Sequence, residues 1–241
     1  MKEKEMGFIF DLDGTILDDI SYILNIPRKV ARDYNYPLTD ELDELLLKKT
    51  SIPLCISGSK FDRFRAVNFL GKMIKLPFLT RMSMVIRVKR DFDGYFKNCP
   101  LIEGTYETLR FLEKKNAKIG MFTNATRLEI DTLFNGREEI LDFFKGNIIA
   151  KDDVKHKKPH PEGIFKLIRK WKLSPQKIII IGDYSWDIQA GKEAGVITIG
   201  VLSGIGTTEL FKKYSADFIL HDISEIPLNF SEFTKFELDC I

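Results

Sequence analysis

Residues 6–16 read MGFIFDLDGTI, a short apolar run cut off by Asp11, Asp13 and Gly14. A run of this length, rich in Phe and Ile, suits a buried strand better than a helix. The abrupt polar end places Asp11 at that strand's carboxyl edge. Similar runs recur downstream. KIGMF at 118–122 ends at Thr123, and NIIA at 147–150 is followed by charge. KIIII at 177–181 is the strongest, with four consecutive β-branched residues closed by Gly182 and Asp183. VITIGV at 196–201 and DFIL at 217–220 complete the set.

Between these runs the apolar spacing turns helical, over 106–116, 127–134, 161–171, 187–194 and 208–214. Pro161 suits a first helical turn. Strand and helix therefore alternate from about residue 101, which predicts a doubly wound parallel-sheet, Rossmann-like α/β fold with helices on both faces. Residues 16–95 break the rhythm. Amphipathic helical segments are expected there at 21–34, 40–49, 61–75 and 78–91, punctuated by Pro37, Pro53, Gly58 and Pro77. The expected organisation is an α/β core domain from 1–15 and 96–241, with a small all-helical domain inserted at 16–95.

Composition narrows the function classes. The 241 residues carry 37 basic and 35 acidic side chains, a net charge of +2, which argues against a dedicated nucleic-acid binder. Cys55, Cys99 and Cys240 are isolated and odd in number, so neither a disulfide framework nor a structural zinc site is expected. The first apolar run is too short for a signal peptide or a membrane span, and a cytoplasmic protein with no membrane partner is the expectation. The sequence carries no signal for an oligomeric state.

Four polar clusters fall at or after strand ends: Asp11-Leu12-Asp13-Gly14-Thr15, Thr123-Asn124, Lys158-Pro159 and Gly182-Asp183-Tyr184-Ser185-Trp186-Asp187. Right-handed crossovers put successive strand ends on one side, where parallel sheets bind ligands. An Asp carboxylate can attack phosphorus to give an acyl phosphate. Its charge repels a phosphoryl group, so a hard cation such as Mg2+ is needed between them, bound by carboxylate oxygens. Asp11 and Asp183 are the candidate ligands, with Asp187 one helical turn on at the edge. Lys158 can offset phosphoryl charge, and Thr123 can donate its hydroxyl. Asp13, two residues past Asp11 along an extended chain, suits a general acid and base. Singly the first three clusters are weak signals, since Asp, Asn and Thr are ordinary turn and cap residues, and the fourth, following KIIII, is moderately specific. Their order and shared location make the set specific.

FDLDGT, FTN, KKPHPE and IGDYSWD resemble the four signature motifs of the haloacid dehalogenase-like superfamily, in its phosphoglycolate phosphatase and β-phosphoglucomutase branch. The likeness covers roughly residues 6–20 and 98–226. It implies a Mg2+-dependent phosphoric monoester hydrolase acting on a small phosphorylated metabolite through an aspartyl phosphate. Asp11 would be nucleophile and metal ligand. Asp13 would be acid/base, its main-chain carbonyl also on the metal. Thr123 and Lys158 would hold the phosphoryl group, Asp183 would ligate Mg2+ and Asp187 would support that site. Thr15 and Asn124 join them as substrate-binding candidates. Dehalogenases of the superfamily lack an acid/base where this chain has Asp13, which favours phosphoryl transfer. The inserted helices match the family's cap in position and character.

From 60 to 90 the insert carries nine basic residues against the single acid Asp62. A positive cap would attract an anionic substrate, and Lys60 and Arg63, beside the polar turn Ser57-Gly58-Ser59, are the candidates to reach it. The alternative activities are a sugar phosphomutase, a phosphonate hydrolase using a cap lysine, and a switch module whose aspartyl phosphate only signals. Against the last, receiver domains place their acid pair before the phosphorylated Asp, whereas Asp11 comes first here. His156 and His160 flank Lys158, and two histidines in a basic loop make no metal site by themselves.

Overall fold

The computed structural model describes residues 5–19, 32, 68, 71–72, 75–86 and 99–239. The chain divides into two compact units, Met1–Asp18 with Pro100–Ile241, and Asp19–Cys99.

The first unit is a six-stranded sheet, all parallel, in the order β3-β2-β1-β4-β5-β6. Its strands are β1 (Gly7–Phe10), β2 (Lys118–Phe122), β3 (Ile148–Ile149), β4 (Ile178–Gly182), β5 (Ile197–Val201) and β6 (Phe218–Leu220). Strands β1, β4 and β5 are buried along their whole length, as strands covered by helices on both faces must be. Their continuous apolar sequences follow from that burial. The helices are α1 (Thr105–Lys114), α2 (Arg127–Leu133), α3 (Glu138–Phe144), α4 (Glu162–Trp171), α5 (Ser185–Ala194), α6 (Thr208–Lys213) and α7 (Ile226–Asp239). The sequence reading anticipates every strand and five of these helices. It does not anticipate α3, a seven-residue segment, or α7.

Helix α4 anchors the loop before it, which carries Lys158. Its Ile164, Leu167 and Trp171, spaced three and four apart, are buried with Ile9, Phe122, Ile178 and Ile180. Each such side chain contributes roughly 1.5–3 kcal/mol on leaving water. The stripe fixes the helix against β1, β2 and β4, and with it the position of Lys158.

The two connections toward the second unit run side by side. Leu17 bridges Leu101, the Asp18 N–H donates to the Pro100 carbonyl at 2.9 Å, and the Ile102 N–H donates to the Ile16 carbonyl at 2.9 Å. In the second unit, residues 78–86 are helical and Leu76 and Met84 are buried. Arg81 donates to the Leu76 carbonyl at 2.7 Å and lies over the Phe78 ring. That arginine of the basic stretch is thus engaged inside its own unit. Lys60, Arg63, Cys55 and Cys240 lie outside the described residues. Cys99 is buried. Among the described residues no helix is long and apolar enough to cross a membrane.

Candidate active site

The strand order reverses direction at β1: β2 and β3 lie on one side, β4 to β6 on the other. Such a switch point leaves a crevice beyond the strand carboxyl ends. Asp11 follows β1 directly, and its N–H continues the ladder by donating to the Ile181 carbonyl at 2.8 Å. Asp183 follows β4, which pairs with β1 through Phe10 and Ile181. Thr123 follows β2, which pairs with β1 through Phe10 and Met121. The register brings the three strand ends level.

Lys158 reaches the same point from the loop before α4. It is 1% exposed, and its Nζ lies 2.6 Å from Asp11 Oδ1 and 2.6 Å from Asp187 Oδ1. It also lies over the Phe122 ring at 5.5 Å. Two buried carboxylates therefore share one buried ammonium. Burial raises the Asp11 carboxyl to about 7, with the Asp187 charge adding to the rise and Lys158 opposing it. Burial raises Asp187 as well. Burial works against the Lys158 ammonium, but the Asp11 and Asp187 charges outweigh it and hold its pKa above the usual lysine value.

Main-chain groups orient the acids. The Leu12 N–H donates to Asp11 Oδ1 at 2.7 Å. The Tyr184 N–H donates to Asp187 Oδ2 at 3.3 Å, which caps α5. Thr123 Oγ1 accepts from the Ala125 N–H at 3.0 Å, which leaves its proton to donate. Thr15 is fully buried, and its Oγ1 has no hydrogen-bond partner among the described residues. Asp13 is half-buried and bridges Leu17. Asn124 grips the Lys158 main chain from both ends: Oδ1 accepts the Lys158 N–H at 3.0 Å, and Nδ2 donates to the Lys158 carbonyl at 3.3 Å.

A model of the haloacid dehalogenase-like hydrolase family matches residues 8–201, which contain all four strand-end clusters. The chain belongs to this family. Pyrophosphatase PpaX of Oceanobacillus iheyensis is 30% identical over 222 residues, 90% of this chain and 93% of that protein. The fold is shared with a haloacid dehalogenase family hydrolase of Deinococcus radiodurans solved with bound phosphate and sodium, at a TM-score of 0.74 and 19% identity. That comparison covers 96% of this chain and 98% of the other. A predicted phosphoglycolate phosphatase of Haemophilus somnus superposes with a TM-score of 0.67 at 22% identity, covering 93% and 97%.

The donor set of this hydrolase fits a hard divalent cation. Asp11, Asp183 and Asp187 are all buried, and one oxygen from each lies within 4.8 Å of the others. Three carboxyl groups stand against the one Lys158 ammonium, and a cation among them would favour the ionised forms of Asp11 and Asp187 that burial disfavours. All-oxygen ligation suits Mg2+ over softer ions.

The sequence reading missed the loop after β5. There the Ile205 N–H donates to Asp183 Oδ2 at 2.9 Å, and the Ser203 hydroxyl donates to the Gly14 carbonyl at 2.7 Å. A Cβ on Gly204 would stand 2.0 Å from Asp183 Oδ2. Gly14 is equally constrained, with φ at +68° and Asp183 Oδ2 at 2.5 Å from any added Cβ. The signal was available: Leu202-Ser-Gly-Ile-Gly206 also follows a strand end, where ligand-facing loops belong.

Proposed function

We propose that this hydrolase is a Mg2+-dependent phosphatase that cleaves the phosphate of a small metabolite through an aspartyl phosphate on Asp11. One observation carries the reading: a buried Asp11 carboxylate at the sheet's switch point, held 2.6 Å from a buried lysine that also holds Asp187. A carboxylate oxygen of Asp11 attacks phosphorus, the new O–P bond forms, and the bond to the leaving oxygen breaks. Asp13 gives its proton to that leaving oxygen. The resulting Asp13 carboxylate then takes a proton from water as the water attacks the acyl phosphate. The bond to Asp11 breaks, inorganic phosphate departs and the Asp11 carboxylate is regenerated.

Lys158 and Thr123 stabilise charge on the transferring oxygens. Asp11, Asp183, Asp187 and the Asp13 carbonyl would hold Mg2+, which supplies charge neutralisation at the phosphoryl group. We assign Asn124 a positioning task toward Lys158 rather than direct substrate contact, because both its polar atoms are already engaged. Thr15, with its buried hydroxyl, is kept as a substrate-binding candidate. The inserted unit is read as the family's cap, with Lys60 and Arg63 as its candidate anion contacts.

The test is phosphate release from a panel including phosphoglycolate, sugar phosphates, nucleotides and pyrophosphate, with and without Mg2+. The name of the Oceanobacillus relative puts pyrophosphate first beside phosphoglycolate. Mg2+-dependent turnover by the wild type, lost in Asp11→Asn, is the expected result. Turnover that survives the substitution rejects Asp11 as nucleophile. Activity only as a bisphosphate-requiring isomerisation makes the enzyme a mutase.

A further inference from the structure

The loop that delivers Lys158 inward and the first residue of α4 carry a second group of potential ligand atoms on the outer side. His156, His160 and Glu162 each offer one ligand atom, and these atoms lie within 4.8 Å of one another. The two imidazole centroids are 4.6 Å apart with their planes tilted by 35°. His156 Nδ1 stands 3.3 Å from Glu162 Oε2. Two donors each about 2.0–2.1 Å from a tetrahedral ion stand about 3.3 Å apart, so this pair already has the spacing of adjacent ligands.

The carboxylate is built in place. Glu162 opens α4, and the main-chain N–H groups of Lys155 and His156 donate to it at 3.0–3.1 Å. His160 has its orientation set too, since its Nδ1 accepts the Glu162 N–H at 3.2 Å. That contact leaves Nε2 as the nitrogen able to bind outward. Both histidines are exposed and line an open hollow of about 530 Å3, bordered also by Gln189 and Glu193 of α5.

We propose that His156, His160 and Glu162 form a binding site for a borderline transition ion of the Zn2+ class, separate from the all-oxygen aspartate cluster. Two imidazoles and one carboxylate leave a fourth tetrahedral position to water. This donor set prefers Zn2+, Co2+ or Ni2+ to Mg2+, whereas the buried aspartates have the opposite preference. Lys155 and Lys157 border the same hollow and oppose a cation there. Their long stems can turn their charges into water, while the Glu162 carboxylate is held by the backbone and stays. Glu193 lines the hollow as well and offsets part of the lysines' charge. Because His156 and His160 bracket Lys158, a bound ion would tie the two ends of the turn that carries it.

The experiment uses chelator-stripped protein with excess Mg2+ to occupy the aspartate cluster, titrated with Co2+ and with Zn2+ alone. Co2+ reports tetrahedral nitrogen and oxygen ligation through its visible absorption, and calorimetry reports Zn2+ stoichiometry. Neither readout depends on turnover, so failure here is distinguishable from failure of the phosphatase reading. The expected result is one equivalent bound by the wild type. His156→Ala, His160→Ala and Glu162→Gln should each weaken binding roughly tenfold or more, since even outer-shell losses cost about 10–100-fold. Circular dichroism identical to the wild type would show that each variant is folded. Absence of binding, or equal binding by the wild type and all three folded variants, would overturn the proposal.

Discussion

Asp11 and Glu162 are both carboxylates that meet the lysine-rich segment 155–162, and their acidities move in opposite directions. Burial raises Asp11 to about 7. Glu162, accepting the Lys155 N–H first of all, is pulled down to about 2. The first is enclosed with a second acid, and its partner is a buried lysine. The second sits at a helix start, where main-chain N–H groups face it and water reaches it. Enclosure makes charge pairing obligatory at one site and leaves it dispensable at the other. A carboxyl that holds its proton to about 7 and one that sheds it by about 2 thus come from the same functional group in two settings.

That contrast can be broken at the buried site first. Asp11→Asn should lower turnover roughly 10^4-fold or more if Asp11 is the nucleophile, with phosphate release as the measurement. Next, Lys158→Met should leave Asp11 and Asp187 buried without their ammonium. A cost of about 3–5 kcal/mol in urea unfolding is expected in the absence of metal. Excess Mg2+ should restore part of it, and a variant as stable as the wild type would remove the ion-pair argument. Asn124→Ala should cost about 1–3 kcal/mol and lower kcat more than it raises KM, because it frees the main chain that aims Lys158.

Titration tests the contrast directly. With its pKa raised, Asp11 stays protonated in the folded protein where the unfolded chain has already lost the proton. Stability of metal-free protein should therefore fall as pH rises from about 4 to 7. Mg2+ selects the ionised form, so it should flatten this slope and bind more tightly as pH rises through 7. Glu162 has the reverse sign. Its contribution is fully present above the ordinary glutamate range near 4.5 and is lost as pH falls toward 2. Glu162→Gln should shift the urea midpoint least of all, and that shift should shrink as pH falls through this window.

Much of the α/β unit was legible in advance because its cues are local. Four consecutive isoleucines can hardly be anything but a buried strand, and Asp183, one glycine beyond them, had to sit at a strand end. The acids and the lysine could be named one by one for the same reason. Helix α3 escaped; it opens with no side-chain cap to mark its start, unlike α2 of the same length, which opens on a Thr126–Glu129 capping box. The α7 pattern, with Phe233 fully buried, becomes clear only once the sheet it covers is in place.

What the sequence by itself determined is the set of strand ends and the residue types placed on them. The tertiary structure alone decided who meets whom. It put Lys158 against residues 147 positions before it and 29 after it, turned Asn124 toward the Lys158 main chain, and brought the Ile205 N–H to Asp183. It also closed Glu162 onto His156. The physical reason is range: a strand or a turn is set by neighbours along the chain, whereas an ion pair between buried groups needs a sheet order and a packed helix to carry both partners to one point.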